Sequence, residues 1–131
     1  MENDKVIIQR AMEGDEAAMR SLWTRHAPHI DAVVIAAYVR RVEGEGRTTV
    51  PPHVAAWIDS VAAGPKAAVV SFGNPYLIRQ FPRTRTYLNT YGVGDALEVA
   101  AARALMGAAP ISGVSPVSLP GYFRAGDGMR R

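Results

Sequence analysis

The sequence predicts an α/β fold: an open, mostly parallel sheet flanked by helices, an α/β sandwich, preceded by an N-terminal helical segment. Three observations carry this. Two short, nearly uninterrupted apolar runs, Ile30–Val39 and Lys66–Phe72, are rich in β-branched residues and end in charge or in Gly-Asn-Pro. A stretch with helical apolar spacing lies between them, and a third, more polar run leads into another such stretch. Short runs of that kind read as strands buried on both faces, as in a parallel sheet covered by helices. Strands alternating with helices make an α/β architecture.

Taken in order, residues 5–27 are expected to be helical, with Val6, Ile7, Met12, Met19, Leu22 and Trp23 at roughly helical spacing. Gly14-Asp15 divides this run, and Asp15 is placed to cap a second helix, which Pro28 ends. Ile30–Val39 is the first strand. The loop Arg40-Arg-Val-Glu-Gly-Glu-Gly-Arg47 follows, with two glycines and alternating charge. Pro51-Pro52 opens a helix whose buried stripe is Val54, Trp57, Ile58 and Val61, and Gly64-Pro65 stops it. Lys66–Phe72 is the second buried strand. Residues 86–91 form a third, polar enough to lie nearer an edge. Gly94-Asp95 starts a helix with Glu98 three residues after Asp95, an acidic capping box. Leu97, Ala101, Ala104 and Leu105 are its inward face. Val114–Pro120, flanked by prolines, is an edge strand or a terminal segment. The domain boundary expected from this is an N-terminal helical segment over 1–29 and an α/β domain over 30–131.

Composition sets limits. At 131 residues the chain suits one domain, and 48% hydrophobic residues supply an ordinary core. There are no cysteines, so disulfides and thiolate chemistry are excluded, and three scattered histidines do not suggest zinc. No cofactor is called for. The net charge of +3 owes part of its excess to a glycine-containing tail with Arg124, Arg130 and Arg131. That reads as solvated charge rather than a nucleic-acid patch. No run approaches the ~18 apolar residues of a membrane span. The acidic, polar start lacks the pattern of a secretory signal, so a cytoplasmic location is the default expectation.

Val69-Val-Ser-Phe-Gly-Asn-Pro-Tyr-Leu77 is the most specific stretch. A strand ending in this way resembles the signature within the C-terminal α/β domain of family 3 glycoside hydrolases, chiefly the β-N-acetylhexosaminidase-like branch. The flanks agree in order. Ala32–Val39 resembles the preceding strand, Tyr87-Leu-Asn-Thr-Tyr-Gly92 the following one, and Ala100-Ala-Ala-Arg-Ala-Leu-Met-Gly107 the helix after it. Ile111-Ser-Gly and Ser115-Pro-Val-Ser-Leu-Pro120 are similar to the closing segment, with Val114-Ser115 in place of the family's usual pair. The resemblance covers residues 30 to about 128. Residues 5–28, with Gly-Asp-Glu-Ala-Ala and Arg-His-Ala-Pro, instead resemble the opening helices of extracytoplasmic-function sigma factors, whose later DNA-reading helices have no counterpart here. An amphipathic helical hairpin is the alternative reading of that segment.

The family resemblance implies retaining glycosidase chemistry, which needs a carboxylate nucleophile and an acid/base about 5–5.5 Å apart. It also implies that the nucleophile belongs to a (β/α)8 barrel, a unit of ~250 residues too large for this chain. The expectation is therefore an accessory domain, inactive alone, with a barrel or a second copy of itself as partner and carbohydrate as a possible ligand. Two alternatives stand beside it: a split glycosidase, and a DNA- or polymerase-binding protein led by residues 5–28. For a split enzyme the resemblance points to Glu43 and Glu45, with Arg47, in the loop after the first strand; a solvated loop is the other reading. Asn74 and Tyr76 follow a strand at its carboxyl end, where open α/β sheets bind ligands, though Asn-Pro is equally turn chemistry. Ser71, His53 and Asp59 supply triad residue types but lack a nucleophile elbow. Gly92-Val-Gly94-Asp95 reads as a helix start rather than a phosphate cradle. Trp23 and Trp57 read as core.

Overall fold

The computed structural model describes residues 13–26, 31–39 and 48–129. Two compact units are present, residues 1–91 and residues 92–131.

In the first unit the elements run α1 (Glu16–His26), β1 (Val33–Tyr38), α2 (Pro52–Ala62), β2 (Ala67–Phe72), a 3-10 segment (Pro75–Gln80) and β3 (Tyr87–Asn89). Asp15 caps α1 as its position predicts, its Oδ1 accepting the Ala18 N–H at 3.0 Å. A borrowed acceptor of this kind satisfies one of the donors that a helix start leaves open. The expected helix before Gly14 lies outside the described residues.

The sheet has three strands in the order β1-β2-β3, both pairs parallel. Val33 is opposite Ala67 and Tyr38 opposite Phe72, while Val69 is opposite Tyr87 and Ser71 opposite Asn89. The right-handed crossover rule lets α2 return the chain to the next parallel strand and pack on the sheet in doing so. Ala55, Ile58 and Ala62 of α2 meet Ala37 and Val69 of the sheet and Leu77 and Phe81 beyond it. Ile35, Val39, Val54, Trp57 and Tyr87 close around this core. Three alanines at the contact let the helix approach closely. Leu77 and Phe81 are wholly buried, four residues apart on the 3-10 segment and its exit.

β2 is buried on both faces, as its apolar run predicts: among its residues only Ala68 is partly accessible. β1 is not. Its side chains alternate, with Ile35 and Ala37 facing α2 while Val34, Ala36 and Tyr38 are exposed. Val34 retains 56% and Tyr38 52% of its accessible surface. The apolar run predicts burial on both faces; the position at the end of the sheet order, with α2 on one face only, gives a half-covered strand instead. Tyr38 stacks on Phe72 there, with ring centroids 4.5 Å apart. β3 lies at the other end of the order, as its polarity predicts.

In the second unit α3 spans Asp95–Leu105. The expected capping box at Asp95 and Glu98 is not formed. Gly94 is the cap, with φ +132°, and its carbonyl accepts the N–H groups of Leu97 and Glu98. Glycine reaches that backbone conformation without a Cβ penalty, so the chain enters the helix one residue earlier. Asp95 and Glu98 then sit in the first turn, where their charge favours the helix dipole. Of the expected inward face, Ala101 is buried, Leu97 and Ala104 are half-buried and Leu105 is exposed. Residues 114–127 fold back on themselves. Leu119 bridges Phe123 in antiparallel fashion, and Ser115 donates its N–H to Asp127 O at 2.7 Å. This is a terminal segment rather than a strand of the sheet.

Candidate functional site

Parallel strands present their carboxyl ends together, and the connections there are the usual place for ligands. Here the turn after β2 is built by its own residues. β2 ends at Phe72, and Gly73 turns the chain at φ +105°. Asn74 then caps the 3-10 segment, its Oδ1 accepting the Tyr76 N–H at 2.9 Å. The same amide donates through Nδ2 to the Thr48 carbonyl at 2.6 Å, joining this turn to the segment that leads into α2. Ser71, with no exposed surface, donates its hydroxyl to the Asn74 carbonyl. Tyr87 reaches from β3 to donate to the Pro75 carbonyl at 3.0 Å.

The result is a closed set of internal bonds. Burial raises the Tyr87 phenol above its ordinary value, with the Ser71 hydroxyl and the Ile78 backbone pulling the other way. Tyr76 is 42% exposed and presents its ring to solvent beside this turn. Asn89 follows on β3, opposite Ser71, and its Oδ1 is buried without a hydrogen-bond donor. Such an acceptor costs about 1–3 kcal/mol relative to a satisfied one. Tyr91, at φ +59°, closes the strand exit.

Of the residues named from the sequence, Asn74 and Tyr76 are therefore brought together at the end of β2. Glu43, Glu45 and Arg47 lie outside the described residues. The triad types are dispersed. Ser71 serves the Asn74 turn, His53 stands against Gly14, and Asp59 pairs with Arg83 Nε at 2.7 Å while also accepting the Arg83 N–H. Among the described residues no group of three or more His, Asp or Glu side chains is placed to hold a metal. Nor is any helix among them long and apolar enough to cross a membrane. On α1, Ala17, Arg20, Ser21, Thr24 and Arg25 line one open depression.

Two participants escaped sequence reasoning. Gln80 uses its whole amide on one residue, accepting the Val50 N–H and donating to the Val50 carbonyl, each at 2.9 Å. Tyr87 supports the turn from another strand. Neither belongs to a motif; only the spacing of the turn from the polar third strand could have suggested Tyr87.

Over 65 residues, half of this chain, the sequence is 42% identical to a β-N-acetylglucosaminidase/β-glucosidase of Cellulomonas fimi. The matched half of this chain is similar in sequence to a stretch of that glycosidase. The matched stretch spans 11% of that protein's length. No family model matches the chain, and no solved structure matches it.

Proposed function

We propose that residues 30–131 are a non-catalytic accessory module related to family 3 glycosidases, which serves carbohydrate metabolism by packing on a catalytic (β/α)8 barrel. The 42% identity over 65 residues to the Cellulomonas fimi glycosidase carries this reading. The chemistry of the Ser71–Leu77 turn supports it. Its polar side chains bond to one another and to the backbone, which suits a scaffold turn rather than a reacting group. Asp59 is likewise held internally, accepting from the Nε and the backbone N–H of Arg83.

The test is an assay of the purified chain on nitrophenyl β-glucoside and nitrophenyl β-N-acetylglucosaminide. The expected result is no turnover above the uncatalysed rate. Turnover that disappears in both Glu43→Gln and Glu45→Gln would replace the accessory reading with an enzymatic one.

A further inference from the structure

We draw no further inference here: the strongest candidate, the exposed apolar side of α3 at Val99 and Met106, carries nothing because nothing in the structure shows what covers it.

Discussion

The Asn74 amide uses its oxygen on the Tyr76 N–H and its nitrogen on the Thr48 carbonyl. Replacing it by alanine leaves a cap donor and a backbone acceptor without partners, so Asn74→Ala is expected to lower stability by about 1–2 kcal/mol. Asn74→Asp keeps the acceptor and loses the donor, and its urea midpoint should fall between the two. Equal midpoints for Asp and wild type would mean that the Thr48 bond contributes nothing. Tyr87 gives a pH-dependent counterpart. Its folded-state pKa lies above the ordinary 10.0 because the phenol is buried. Above that ordinary value the unfolded chain loses this proton while the folded chain retains it, so stability falls with rising pH. The contribution is complete below the ordinary value and is lost as pH climbs through the folded one. Thermal midpoints measured from pH 8 to 11 should decline for wild type, and Tyr87→Phe should reduce that slope while costing stability at neutral pH through the bare Pro75 carbonyl. Much at this scale was legible beforehand: Asp15 as a cap, and Gly73-Asn74-Pro75 as a turn. What the sequence could not choose was between turn and ligand site at Asn74, because the same amide chemistry serves both until its partners are known.

At the scale of elements, the strands and helices stood out where local pattern and tertiary placement agree. β2 reads as buried and is buried, and α2 starts at its prolines. The exceptions share a cause. β1 has the composition of an interior strand, yet position in a sheet depends on which strands are neighbours, and that is not written in the strand itself. The Pro75–Gln80 segment drew no assignment from the sequence because 3-10 pieces are short and Leu77 and Phe81 lack a longer period to betray them. The start of α3 was displaced by one residue, since an acidic box is the commoner cap and Gly94 offers no side chain to recognise. A side chain at Gly94 would meet no atom within 4 Å of its Cβ, so its cost on substitution is conformational rather than steric. Gly94→Ala should therefore destabilise α3 by about 1–3 kcal/mol, the range for a residue forced into a glycine-only region. Loss of helical circular dichroism on heating would register it. Gln80→Leu tests a different joint. It strips two bonds from Val50, ahead of α2, and leaves both backbone groups in a part-buried place. The expected loss is about 1–3 kcal/mol, and Gln80→Glu, which cannot donate, should recover only the Val50 N–H bond.

For the whole molecule, compactness and autonomy are separate properties, and residues 92–131 separate them. This unit is well connected inside itself: Ser115 to Asp127, Leu119 to Phe123, and Ala125 to Ser118 through its hydroxyl. Among its described residues, however, the buried side chains are Ala101, Ser115 and Leu119, two of them small. Hydrophobic stabilisation follows the apolar area withdrawn from water, and a single leucine contributes about 1.5–3 kcal/mol. Fixing each backbone residue costs about 1–2 kcal/mol, so one leucine and a handful of hairpin bonds cannot offset the ordering of such a segment. α3 offers little help by itself, since isolated helices shorter than about 12–15 residues are marginal in water and α3 has 11. Segments near 40 residues usually need disulfides, a metal or a partner, and the chain has no cysteine to provide the first. A synthetic peptide of residues 92–131 is therefore expected to give a coil-like circular dichroism spectrum and a featureless melt. A sigmoidal melt of the peptide alone would show instead that the Ser115–Asp127 and Leu119–Phe123 bonds suffice, and would make this unit a domain in its own right.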